Sequence, residues 1–191
     1  MARSMPMALD PRIARTRRSL REALFALTRE RSLDEISVSD IADRAGVNRS
    51  TYYQHYSDKD TLLVEALDAV LDDTISAEDE LSEDSGQRIL LSYLRHVAEH
   101  AELYRAMLGA QGSAAVQVGM QQRVQAIIVG VFEREEGEPF TGLPRRVGAA
   151  AVAGSGVAVI RAWLETDSLP DVEVAAEWIW VVLRSHGAVA S

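Results

Sequence analysis

Apolar side chains recur along this chain at helical spacing from end to end, which predicts an all-α protein of about nine helices. Ile13, Leu20, Leu24 and Leu27 form one stripe of a first helix over about residues 12–31. In "ISVSDIADRAGV", Ser37 can cap a short second helix, with Asp40 three residues on in capping-box position. Ile36 and Ile41 then fit a hydrophobic staple around that cap, and Gly46 supplies the left-handed residue that closes the helix. Asn48 can cap a third helix running to about Tyr56, and Ser57-Asp58-Lys59-Asp60 starts a fourth over about 59–75, through Leu62, Leu63, Leu67, Val70 and Leu71. The acidic stretch "SAEDELSEDSG" (76–86) reads as a loop. Helices follow over about 87–100, 114–135, 145–166 and 171–186, with 101–108 either extending the first of these or standing alone. "GAQGS" and "GEPFTGLP" break the pattern between them. Residues 1–11, with three methionines and two prolines, read as a flexible arm whose start residue is open. No internal repeat or low-complexity segment interrupts this order.

Two short helices joined by a glycine turn and packed on a longer one make a helix-turn-helix, which divides the chain into a head (12–58) and a body (59–191). The third helix would be the reading helix, its first residues at base edges in the major groove. Its composition fits: "NRSTYYQHY" crowds hydrogen-bonding side chains where a core helix would be apolar and a solvated one rich in Glu and Lys. Arg49 suits guanine O6 and N7, Gln54 suits adenine, and Ser50 and Thr51 are small adaptable donors. Tyr53, His55 and Lys59 are candidates for phosphates, which set register without reading sequence. Tyr52 and Tyr56, four apart, share a face and are expected to pack inward on the first helix.

Net charge changes the picture only when divided. The chain carries −9 overall, yet residues 1–60 hold 11 Lys and Arg against 9 Asp and Glu, and residues 61–191 hold 9 against 20. Arg12, Arg15, Arg17, Arg18 and Arg21 fall within ten positions. A basic end on an acidic body suits a DNA-reading head, although arginines on a first helix equally well solvate a face. The absence of cysteine excludes disulfides, thiolate metal sites and a Cys nucleophile, and suits a reducing cytoplasm. The apolar uncharged run Val147–Ile160 is 14 residues, short of the roughly 20 that span a bilayer, so no membrane partner is expected.

Residues 12–63 resemble the DNA-binding head of the TetR family of bacterial transcription regulators. "SVSDIADRAGVNRSTYYQHYSDKDTLL" carries the likeness without a gap: Ile-Ala, Ala-Gly-Val, a hydroxyl residue, Tyr53, His55, an aromatic at 56, Lys59 and Leu62. The resemblance places Arg49, Ser50, Thr51 and Gln54 toward bases, and Ser37, Ser39, Tyr53, His55 and Lys59, the chain's sole lysine, toward phosphates, with the capping Asn48 also counted among the DNA-binding residues. It further implies a homodimer on a palindromic double-stranded operator and a helical body that senses a small-molecule effector of unknown identity. Repression is the first reading and activation of transcription the second. Two departures stand out. "RERSLDE" replaces a glycine that many members carry after the first helix, and Tyr56 replaces the commoner Phe. "HAELYRAMLGAQGS" and "AVAGSGVAVIRAWLETD" look like the body of TetR-like regulators that include activators of small-metabolite pathways.

In the body, "GAAAVAGSGVAVIRAWL" is rich in small residues that let helices approach closely. With the last helix it suggests a two-fold interface using Ala149, Ala153, Gly156, Val157, Ile160, Trp178, Val181 and Val182. Tyr93, Tyr104, Met107, Met120, Phe132 and Trp163 are candidates to line an effector pocket between the helices over 87–108, 114–135 and 145–166, although any one of them also suits plain core. No cofactor is expected and no enzyme chemistry is visible, with one exception: "HVAEH" (96–100) fits the inverted zinc-protease motif. A zinc-dependent hydrolase is therefore the distant alternative, with Glu173 or Glu177 as a third ligand.

Overall fold

The computed structural model describes residues 10–77, 85–132 and 142–185, and every regular element among them is helical. The chain divides into two compact units, Met1–Leu63 and Val64–Ser191, so the first turn of the fourth helix belongs with the head rather than with the body. The expected arm lies outside the described residues up to position 9, as do residues 78–84, 133–141 and 186–191.

In the first unit the helix ends follow from local chemistry. Asp10 accepts a hydrogen bond from the Arg12 amide and Pro11 occupies the first turn, which starts α1 (Pro11–Thr28). Leu20, Leu24 and Leu27 of the expected stripe are buried, while Ile13 near the N-terminal end is exposed. A single 3-10 turn, Leu33–Glu35, follows in the segment that departs from the family pattern; Ser32 and Glu35 form its capping box. At the start of α2 (Val38–Arg44) the Asp40 amide donates to Ser37 Oγ at 3.2 Å and the Ser37 amide donates to the Asp40 carboxylate at 2.8 Å, the reciprocal box read from the sequence. Ile36 and Ile41 on either side are both buried. Gly46 sits at φ 71°, with its amide donating to Asp43 O and the Val47 amide to Ala42 O, a Schellman closure. The third helix, α3, covers Arg49–His55, and α4 covers Lys59–Ser76.

The cap hydrogen bonds from Ser37, with help from Arg31 (3.0 Å away), hold the Asp40 carboxyl at about 2, below its usual 3.8. A depressed carboxylate stabilises the fold above the unfolded-state value and ceases to do so as pH falls through the folded one. The contribution of Asp40 is therefore expected to vanish between about pH 4 and pH 2. Thermal melts across that range should show a smaller acid-induced drop in Asp40→Asn than in the unaltered chain.

The second unit is built from the rest of α4 with α5 (Ser85–Glu99), α6 (Ala101–Leu108), α7 (Ala114–Phe132), α8 (Arg145–Leu164) and α9 (Val172–Ser185). Residues 101–108 form a separate helix, because His100 leaves helical geometry at φ −115°, ψ 34°. α8 packs on α6, α7 and α9. Arg105 Nε donates to Leu164 O at 2.7 Å, pinning α6 to the end of α8, and the buried Trp163 indole donates to Pro170 O at 2.9 Å. By length and composition α8 could cross a bilayer, at 20 residues and mean hydropathy 1.6. Ala149, Val152, Ala153, Ile160 and Trp163 are instead buried within the unit, as in a core helix.

That burial corrects the expected interface. Ala149 and Ala153 are fully enclosed and Ile160 nearly so, which leaves them no surface to offer a partner. Gly156 and Val157 are half-buried. Of the set named from the sequence, Trp178 (40% exposed) and Val181 (53%) keep open surface, and Val182 is half-buried. Val174 joins the first two at helical spacing, so 174, 178 and 181 form an exposed apolar stripe on α9.

Candidate nucleic-acid interface and apolar cavity

The face of α3 separates as its sequence suggests. Tyr52 and Tyr56 are buried, their ring centroids 5.8 Å apart, and the Tyr52 hydroxyl donates to Asp58 O at 2.9 Å. Burial pushes the Tyr52 pKa well above that of a free phenol, so it stays neutral and donating. The Arg17 guanidinium lies 5.7 Å from the Tyr56 ring centre, a cation–π contact from α1.

Outward point Arg49, Ser50, Tyr53 and Gln54, all exposed, with Thr51 and His55 half-buried. Arg49 donates to the Tyr53 hydroxyl at 3.2 Å, and its guanidinium sits 5.5 Å from the Tyr53 ring centre. The exposed tyrosine thus holds the arginine in a defined direction while leaving it in solvent. Asn48 Oδ1 receives three donors: the Thr51 amide at 2.8 Å, the Thr51 hydroxyl at 2.9 Å and the Ser50 hydroxyl at 2.6 Å. Asn48 is therefore the cap that orders the start of the helix. Asn48→Ala is expected to cost about 1 kcal/mol of stability, measurable by urea unfolding of the full chain.

Two residues expected near phosphates have other engagements. Ser37 is tied into its capping box with Asp40, to whose carboxylate its hydroxyl donates at 2.6 Å. Lys59 is half-buried, and its Nζ donates to Leu33 O at 2.6 Å and Ile36 O at 3.1 Å, at the 3-10 turn. Ser39 is half-buried on α2.

The second unit holds a partly open cavity of about 200 Å³ between α4, α5, α7, α8 and α9. Tyr93 and Met120 line it, as expected from the sequence. Tyr104, Met107 and Trp163 do not; they are buried in the packing around α6 and α8. The Phe132 side chain lies outside the described residues. Gly156, Val157 and Ile160, assigned from the sequence to an interface, line the cavity instead. Sequence reasoning missed Leu71, Ile75, Val124, Ile127 and Trp180 among the lining groups. The signal for the last was present: 176, 179, 180 and 183 trace an inner face of α9 opposite the 174, 178, 181 stripe.

Among the described residues the zinc alternative does not assemble. His96 and His100 have ring centroids 4.5 Å apart, but no group of three or more His, Cys, Asp or Glu able to hold a metal occurs among the described residues. Glu173, one proposed third ligand, lies 3.6 Å from Arg95.

Comparison with known proteins adds an independent line. Residues 20–66 match the family model described as bacterial regulatory proteins, tetR family, and residues 84–183 match a transcriptional regulator C-terminal region of the same class. An uncharacterized HTH-type transcriptional regulator, YxbF of Bacillus subtilis (strain 168), is 38% identical over 56 residues, which cover 29% of this chain and 15% of that protein. The match thus spans a small part of that curated relative's length. A putative TetR-family transcriptional regulator from Syntrophomonas wolfei superposes with a TM-score of 0.66 at 17% identity, over 93% of this chain and 97% of that one. The Thermus thermophilus TetR-family repressor FadR, solved with lauroyl-CoA, gives a TM-score of 0.62 at 15% identity, over 92% and 96%. At these identities the likeness establishes the fold.

Proposed function

The chain belongs to the TetR family of bacterial regulatory proteins, and from that premise we propose that it is a cytoplasmic, homodimeric, effector-responsive repressor that binds a palindromic operator. The observation that carries this reading is the outward face of α3. There an exposed Arg49 braced by Tyr53 stands beside Gln54, on a helix whose start is fixed by Asn48. Arg49 and Gln54 are the direct readers, for guanine and adenine; Ser50 and Thr51 complete the base-facing set, and Tyr53, His55 and Ser39 face the phosphates. The exposed stripe of Val174, Trp178 and Val181 supports self-association through α9.

The apolar cavity supports an effector site within each subunit. Two heads on successive major grooves must sit about 34–36 Å apart, so an effector releases the operator by binding better to subunits held at another spacing. Linkage requires the converse as well: operator DNA weakens effector binding by the same factor.

Selection of bound sites from a random DNA pool at physiological salt tests the proposal, because non-specific phosphate binding is weak there. Enrichment of an inverted repeat with half-sites one helical turn apart, or a multiple of it, is the expected result. A lone half-site, or no enrichment by a protein that is dimeric in light scattering, would refute it.

A further inference from the structure

We propose that the effector buries in the cavity of the second unit an uncharged hydrocarbon group of about six to eight carbons, with no polar atom among those inserted. This rests on the effector role proposed above and narrows it to a chemical class.

The wall sets the polarity. Among the described lining residues there is no Asp, Glu, Lys, Arg or His. The facing helices contribute aliphatic side chains, Leu71 and Ile75 from α4 and Val124 and Ile127 from α7. Two aromatic lining residues own a polar atom, and both keep it from the cavity. The Tyr93 hydroxyl oxygen receives the Tyr104 hydroxyl at 3.4 Å. Burial pushes the Tyr93 pKa up to about 12, so it stays a neutral phenol with no charge to offer. The Trp180 Nε1 is sealed within the packing. It is the carbon edge of that ring that lies toward Gly86, another lining residue: a Cβ added there would stand 3.6 Å from Trp180 Cη2. The surface a ligand meets is therefore carbon almost throughout.

An inserted charge would lose its hydration there and find no counter-charge. An inserted hydroxyl or amide would give up its water partners and find no replacement. A hydrocarbon group gives up no hydrogen bond and gains by leaving water. The volume sets the size. About 200 Å³ is somewhat more than the roughly 150 Å³ of a dry cavity that takes one benzene ring. The cavity is also partly open, so a ligand enters without the helices separating, and a polar end can remain hydrated at the mouth.

The test uses full-length protein with 13C-labelled Ile, Leu and Val methyl groups. The probes are cyclohexane, cyclohexanol and trans-1,4-cyclohexanediol, which share one ring and carry zero, one and two hydroxyls. The rigid diol has a hydroxyl at each end, so it cannot insert its ring without inserting oxygen. Cyclohexane is expected to give intermolecular NOEs to the methyls of Ile89, Leu90, Ile127 and Ile179, which line the cavity. Cyclohexanol should give the same pattern with its hydroxyl outward. The diol should bind at least about tenfold more weakly than cyclohexanol. A diol that binds as tightly as cyclohexanol would overturn the inference while leaving the cavity as a binding site. NOEs of equal strength to the exposed Val174 and Val181 would mean partitioning onto the surface, and would overturn it as well. No contact from any probe to the lining methyls would overturn the effector site itself.

Discussion

Replacing Lys59 by methionine is expected to lower the stability of the head by about 2–3 kcal/mol, more than a surface lysine would warrant. The ammonium donates to two backbone carbonyls, Leu33 O and Ile36 O, which flank the 3-10 turn between α1 and α2. Methionine fills the same length but leaves both acceptors without their charged donor. Urea unfolding followed by helical circular dichroism measures the loss. A lysine that served only as a phosphate contact would behave differently: its removal would leave stability untouched and reduce the salt slope of DNA binding by about one unit. A Lys59→Met protein as stable as the parent, with a flattened salt slope, would return the residue to that simpler role.

Arg49→Ala is expected to weaken operator binding by about 1–3 kcal/mol and to relax preference at one base pair in each half-site. Arg49 is the first residue of α3, exposed, and held by Tyr53 through both a hydrogen bond and the ring face. Such bracing lowers the conformational entropy lost when the guanidinium closes on a guanine edge. Tyr53→Phe keeps the ring but removes the hydroxyl, and is expected to retain most of the preference. Binding measured against the selected operator, its single-base variants and random duplex at one salt concentration separates the outcomes. An equal loss on all three by Arg49→Ala would mean that the residue only neutralises phosphate.

What was legible in the sequence was local. Ser37 with Asp40, Gly46, and Asn48 each act within four residues, so their chemistry could be read directly and the helix boundaries of the head followed from it. The split between buried Tyr52 and Tyr56 and exposed Tyr53 followed from helical period alone. What was not legible depended on distant neighbours. Lys59 meets Leu33 O across 26 positions, through a turn whose existence the sequence reading did not anticipate. Ala149 and Ala153 look alike whether the helix they admit belongs to the same subunit or to a partner, and here it is the same subunit. Tryptophans 178 and 180 differ by two residues, which turns them to different sides of α9. The sequence reading assigned the first to a surface and did not single out the second, which lies in the cavity wall.

The cap at Asn48 has a bearing on which letters of DNA the head can spell. A hydroxyl has one proton to give, and those of Ser50 and Thr51 are both directed at Asn48 Oδ1. In the proposed groove-facing arrangement their oxygens would be left as acceptors. Beside Arg49, which can only donate, the start of α3 would then present a mixed alphabet under the proposed reading: a cation suited to guanine O6 and N7, next to two oxygens suited to the amino groups of adenine or cytosine. An operator half-site would then pair a guanine with a neighbouring amino-bearing base on the groove edge, and a run of guanine and thymine acceptors there would meet oxygens with no proton to offer.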